Sequence, residues 1–203
     1  MGKSTKLSLL LFLLSFTLFG KTIYVNINFS GTGTGAMSSP FKTISEAVSV
    51  SSAGDEIKIA AGDYIENLIL PGNFGLKLSG GYSPADFSVR NTQTYRTNIS
   101  GANTSPVISI EYTGGIGDYQ YYEINGFRIQ GGERGVYAVN QGNGGTAVLL
   151  IYDNIISGNG GLQGSNDYGG GVHISGIISK VINNEIKNNS CGKSGGISLQ
   201  LAN

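Results

Sequence analysis

Three acids in the second half of the chain, Asp153, Asp167 and Glu185, are of a type that could do proton-transfer or metal chemistry. Glycoside hydrolysis needs two carboxyl groups about 5–9.5 Å apart across the scissile bond. Linear spacing does not set that distance, so the three stand as candidates for a catalytic or metal group. Asp167 lies in the Gly-rich stretch QGSNDYGG (163–170), which resembles a loop insertion, and loops often carry function. The sole histidine, His173 in GGVHIS, alternates with Val172 and Ile174 and so points outward if they point in. It has no orienting carboxylate at a readable spacing and is expected to be an exposed surface residue near Tyr137 and Ser198. The stretch GIGDYQYYEINGF offers a different chemistry. With Tyr122 and Ile124 inward, Tyr121 and Glu123 face out, and Tyr119 and Tyr121 become candidates for flat, amphipathic contact with sugars. The same tyrosines also suit a strand for ordinary reasons.

Other constellations are excluded. One Cys and one His cannot make a zinc site. GTGTG (31–35) lacks the Gly-Lys-Ser/Thr ending of a phosphate loop. The lone His has no nucleophile-elbow context for a Ser-His-Asp arrangement. Formal net charge is zero with no basic patch, which argues against nucleic acid as a partner. A single cysteine, Cys191, leaves no internal disulfide and reads as a half-buried small residue near a turn.

The elements that must position these residues are short and repetitive. Glycine makes up 33 of 203 residues, roughly twice ordinary usage. Ile129, Ile156 and Ile186 occupy similar frames (RIQGG, IISGNG, EIKNNS), 27 and 30 residues apart. A second frame, RGVYAV, GGVHIS and GGISLQ, centres on Val136, Val172 and Ile197; a third comprises AVLLIY and IISKVI. Repeats of this period imply a solenoid with about three short strands and Gly/Asn turns per winding. Three antiparallel strands around residues 57–82 would be the alternative for the early part alone. Setting Ile156 over Ile186 places Asn154 over Asn184 and Asn159 over Asn189. Windings stacked about 4.8 Å apart then allow two-rung amide ladders. Phe127 and Gly132 take those places in the preceding winding. The same register puts Arg128, Ile155 and Glu185 in one outward column and Gln130, Ser157 and Lys187 in the next. Lys187 and Glu185 are expected to be a surface pair.

One helix interrupts the pattern. Ser39 as N-cap and Pro40 at the first helical position predict a start there, with Phe41, Ile44, Ala47 and Val48 as its apolar stripe. Ser51, Ser52 and Gly54 end it. IKIA then alternates, AGDY turns, IENLIL and LKLSGGY give two more strands, and Pro71-Gly72-Asn73 turns between them. A solenoid's first winding exposes apolar cross-section, and this helix is expected to cover it. Arg90 and Arg96 are expected to tie loops down by donating to carbonyls, with Asp86 a partner for Arg90.

Residues 1–20 read as a secretory signal peptide: Lys3 and Lys6 precede an apolar run, Leu7–Phe19, too short to span a bilayer. The remainder, 21–203, is one domain, divided into an initial strand, Gly-rich loop and cap helix (21–54) and the windings (55–203). The last of these stops within a winding, with Leu199 and Leu201 exposed, so truncation of a longer protein is expected. The predicted locale is secreted or cell-surface, with no membrane span after signal cleavage.

The segments YVN…FSGTGTG…SPFKTISEAV…AGDEIKIAAGDYIE, followed by LKLSGGYSPADFSVR and TNISG, resemble the N-terminal part of secreted bacterial right-handed parallel β-helix proteins of the pectin-lyase-like superfamily. The resemblance implies an all-β, right-handed parallel β-helix with a short capping helix, and it implies secretion. It does not choose among polysaccharide-acting enzymes and surface adhesins. Lyases of that superfamily hold Ca2+ on clustered acids beside an Arg or Lys base. Here one acid and one Arg, two windings apart, fall short of the six or so oxygens Ca2+ takes. No cofactor is therefore expected, with Ca2+ only under a lyase alternative. The favoured function is a non-catalytic surface for adhesion or contact with extracellular polysaccharide or a host or cell surface. The alternatives are the N-terminal part of a polysaccharide lyase or glycoside hydrolase, and a purely structural spacer.

Overall fold

The computed structural model describes residues 20–160 and 168–201. Among them the strands form three sheets, all with parallel neighbours. The first sheet contains β1 (Thr22–Val25), β2 (Glu56–Ala60), β5 (Lys77–Tyr82), β8 (Tyr119–Asn125), β11 (Thr146–Tyr152) and β14 (Ile178–Ile182). The second contains β4 (Leu68–Leu70), β7 (Ile108–Tyr112), β10 (Val136–Asn140), β13 (Val172–Ser175) and β16 (Ile197–Gln200). The third contains β3 (Gly62–Ile65), β6 (Thr97–Ser100), β9 (Phe127–Gln130), β12 (Ile155–Ser157) and β15 (Glu185–Lys187). The chain visits first, third and second sheet in turn from β2 onward, so each circuit is one winding of a parallel β-helix. The antiparallel alternative for residues 57–82 does not occur: β2 pairs with β5 in parallel, and β3 and β4 pair with later windings.

Period-two alternation sends every second side chain into a shared interior. Ile23, Ile57, Leu78, Ile124, Ile151 and Val181 stack as one column in the first sheet. Tyr64, Ile99, Ile129, Ile156 and Ile186 do so in the third, and Leu68, Ile108, Val136, Val172 and Ile197 in the second. All are fully buried or nearly so through the middle windings. In the last winding Val181 and Ile186 are half-buried, and Ile197, Leu199 and Leu201 are exposed.

The asparagine ladders form as the spacing implies. Asn154 Nδ2 donates to Asn184 Oδ1 at 3.0 Å, and Asn159 Nδ2 to Asn189 Oδ1 at 2.9 Å. Each ladder ends on the preceding winding's backbone: Phe127 N donates to Asn154 Oδ1 and Gly132 N to Asn159 Oδ1. These amides satisfy inward-turned backbone groups at two corners of every late winding, which a buried polar group requires.

Two local readings are corrected. The helix, α1 (Ile44–Ser49), starts later than Ser39-Pro40. Phe41 instead continues the stack as an extended neighbour of Val25, its N–H donating to Tyr24 O and its carbonyl accepting from Asn26 N. Thr43 is the N-cap, closing a reciprocal capping box with Glu46. Glu66 supplies the remaining acceptors, taking Ile44 N and Ser45 N at 2.9 Å each. Ile44 and Ala47 are fully buried against β1, β2 and β4, so α1 covers the first winding as expected. Gly62 and Asp63, expected to turn, belong to β3 because they pair with Thr97 and Asn98. The IENLIL run is accordingly split, with Ile65 ending β3 and Leu68–Leu70 forming β4. The signal-peptide reading falls on residues 1–20, which apart from Gly20 lie outside the described residues.

Candidate functional site

On β8, Tyr122 and Ile124 face the core and are fully buried, which turns Tyr119, Tyr121, Glu123 and Asn125 to the outer side of the first sheet. Parallel register then sets their neighbours. Tyr119 lies beside Thr146, Tyr121 beside Val148, Glu123 between Lys77 and Leu150, and Asn125 between Ser79 and Tyr152. Val148 is followed by Ile178, which is 62 % exposed.

Glu123 is the hub of this face. Its carboxylate accepts from Tyr152 Oη, from Tyr121 Oη at 3.2 Å and from Asn125 Nδ2 at 3.1 Å. Asn125, fully buried, also donates to Leu78 O and Ser79 Oγ, and its Oδ1 accepts from Arg90 Nη2. Ser79 Oγ passes the chain on to Glu56 Oε1 at 3.1 Å. Lys77 Nζ sits 5.8 Å from the centre of the Tyr121 ring, a cation–π distance. Burial, reinforced by the neighbouring Glu123 carboxylate, pushes the phenols of Tyr121 and Tyr152 up from their ordinary value. Both hydroxyls therefore remain proton donors at neutral pH. Tyr121 is thus held half-buried with its ring fixed, while Tyr119 is 65 % exposed.

A groove of about 600 Å3 adjoins this face, lined in part by Asn140, Thr146, Ser175, Ile178 and Gln200. It links the end of the second sheet to the start of the first. Fixed aromatic and aliphatic surface beside hydroxyl and amide groups is chemistry that suits a polyhydroxylated ligand.

The proposed acids lie elsewhere. Asp153 sits in a left-handed turn between β11 and β12, φ +56°, and accepts from Asn183 Nδ2. Glu185 is exposed on β15 beside Ile155 and pairs with Lys187 Nζ at 2.6 Å. Asp167 is outside the described residues. No group of three His, Cys, Asp or Glu that could hold a metal occurs among the described residues. Tyr119 and Tyr121 are brought together on one face; Glu123, Tyr152, Asn125 and Lys77 complete it. Tyr152 was recoverable from the sequence, because the AVLLIY frame laid over β8 places it next to Asn125.

His173 points outward as expected but is not exposed. Only 8 % of it reaches solvent, and its ring stacks on Tyr137 at 5.4 Å and 13°. Its Nδ1 is buried without a partner among the described residues. Burial, and then the Arg134 charge, lower its pKa. Arg90 and Arg96 donate to the carbonyls of Gly80 and Gln93 as expected, whereas Asp86 caps the turn at Ser88 N. Cys191 is a free, half-buried thiol.

A family described as "Protein of unknown function (DUF1565)" matches residues 27–83. No curated protein and no solved structure matches the chain. The matched stretch takes in α1 and the first winding, from β2 to β5, and includes Lys77 but none of the tyrosines of the face. The described residues form a parallel β-helix, and residues 27–83 are similar to that family.

Proposed function

We propose that this protein is a secreted or cell-surface β-helix module whose tyrosine face contacts extracellular carbohydrate without transforming it. The observation that carries the reading is the combination at β8. The Tyr121 ring is fixed through Glu123 and Lys77, next to exposed Tyr119 and the aliphatic pair Val148 and Ile178. Such a surface is rigid before binding, so little conformational entropy is lost on contact. The non-catalytic part of the reading is supported by the engagement of nearby carboxylates: Glu123 has three donors, Asp153 has Asn183 and Glu185 has Lys187. Residues 1–20 act as the export signal in this reading.

A glycan array with the purified chain tests it. Binding to at least one glycan is expected, weakened at least tenfold in Tyr119→Ala/Tyr121→Ala. Absence of binding to every glycan removes the sugar-contact reading. Incubation with uronate polymers, with and without Ca2+, should show no unsaturated ends by absorbance. Turnover abolished by Asp153→Ala or Glu185→Ala would replace the module with an enzyme.

A further inference from the structure

A second outer face carries a feature that the tyrosine surface does not use. On β9, Arg128 points outward between Asn98 and Ile155 in the third sheet. It is half-buried, yet its side chain makes no hydrogen bond, ion pair or ring contact among the described residues. The acids nearby are engaged: Asp63 accepts from Asn98 Nδ2 at 2.6 Å, Asp153 from Asn183 Nδ2, and Glu185 from Lys187. A guanidinium partly withdrawn from water without a counter-group is costly to keep.

The space beside it is shaped by a glycine. Arg96 precedes β6, Gly126 precedes β9 and Asp153 lies in the corresponding turn before β12, so the three follow one another along the stack. Gly126 has φ +81°, and a Cβ there would lie 2.7 Å from Arg90 Nη2 and 2.8 Å from Gly80 O. No side chain can therefore fill the middle layer. The result is a cleft of about 20 Å3 lined by Arg96, Gly126, Arg128 and Asp153, with Thr92 and Gln93 at its rim. That is room for about one oxygen-sized group. Arg96 has only its Nε engaged, on Gln93 O at 3.3 Å. Two guanidinium groups against one carboxylate leave the cleft net positive.

We infer that this cleft takes one oxygen of an oxyanion, a carboxylate or sulfate group whose other atoms stay outside with the larger hydroxylated molecule that carries it. The planar fork of Arg128 suits two parallel bonds to such a group, and the free Nη atoms of Arg96 complete the cradle. Asp153, on the opposite wall, accepts from a hydroxyl of the same molecule. The site is on a different sheet from the tyrosine face and does not rest on the carbohydrate-contact reading.

The test is a protein-observed NMR titration with glucuronate, glucose 6-sulfate and glucose in parallel, following the arginine Nε–H signals. At least one anion should shift Arg96 and Arg128 saturably, glucose should not, and the anion that does identifies the headgroup. Arg128→Gln should weaken binding tenfold or more, and Tyr119→Ala/Tyr121→Ala should leave it unchanged. Arg128→Lys keeps the charge without the fork and should bind several-fold more weakly at unchanged Tm, which guards against a misfolded Gln variant. No saturable shift with either anion, an equal response to glucose, or unchanged affinity in both Arg128 variants overturns the inference.

Discussion

Asn154 and Arg128 sit one layer apart, close to the same corner, and they are opposites. The Asn154 side chain is buried and every polar atom of it is bonded: Nδ2 to Ile124 O, Tyr152 O and Asn184 Oδ1, Oδ1 to Phe127 N. The Arg128 side chain has no bond to the described protein. The first side chain belongs to the fold and the second is available to something else. Substitutions should therefore divide into those that lower stability and those that leave it alone but alter binding.

The largest effect is expected at the ladder. Asn154→Ala orphans the Phe127 amide and two carbonyls in a dry corner, costing about 2–4 kcal/mol. For a chain of this size that lowers Tm by roughly 5–15 °C, readable by circular dichroism. Glu123→Ala tests whether the tyrosine face is built like the ladder or like Arg128. It removes the shared acceptor of Tyr121, Tyr152 and Asn125 in a half-buried setting, and a loss of about 1–2 kcal/mol is expected. A change below about 0.3 kcal/mol would place Glu123 with Arg128 instead.

His173 sharpens the contrast through pH. Its folded-state pKa lies below that of the unfolded chain, so the unfolded state binds more protons as pH falls below about 6.5. The folded state loses stability through that window and is unaffected above it. Arg134 adds to the effect, since a second positive charge forms beside it. His173→Phe keeps a ring on Tyr137 and should abolish this histidine-linked part of the fall in Tm between pH 7 and pH 5. An identical acid-side slope in the variant would show that other groups set it. The smallest effect belongs to Glu185→Ala. Its pair with Lys187 is about half exposed on both sides, and the change should stay within about 0.5 kcal/mol.

Much of the layering was legible because it is periodic. The 27- and 30-residue spacing of Ile129, Ile156 and Ile186 determines which residues stack, and both ladders follow from it without further assumption. The errors arose where one local signal competed with another. Ser39-Pro40 and Thr43-x-x-Glu46 are both helix-start patterns, and the first lost because Phe41 hydrogen-bonds to the strand layer. AGDY looks like a turn by composition, yet pairing with β6 makes Gly62 and Asp63 a strand. Site residues were legible only as to face. Alternation correctly turned Tyr121 and His173 outward, but it carries no information on what lies above an outward residue. Tyr137 stacks on His173, and no pattern in GGVHIS announces that. Likewise the unpaired state of Arg128 depends on where Asp63 and Asp153 find their donors, which is decided by contacts between windings.

The ladders have a consequence for how such a chain can change length. Asn184 and Asn189 stand to Asn154 and Asn159 as those stand to Phe127 and Gly132. Cutting out residues 154–183 as one block would remove one strand from each sheet. Asn184 would then drop onto the Phe127 amide, Ile186 onto Ile129 and Ile197 onto Val136. The molecule is a stack of interchangeable cassettes at this end, tolerant of gain or loss by whole turns and intolerant of a single-residue slip, which would turn an inward isoleucine out.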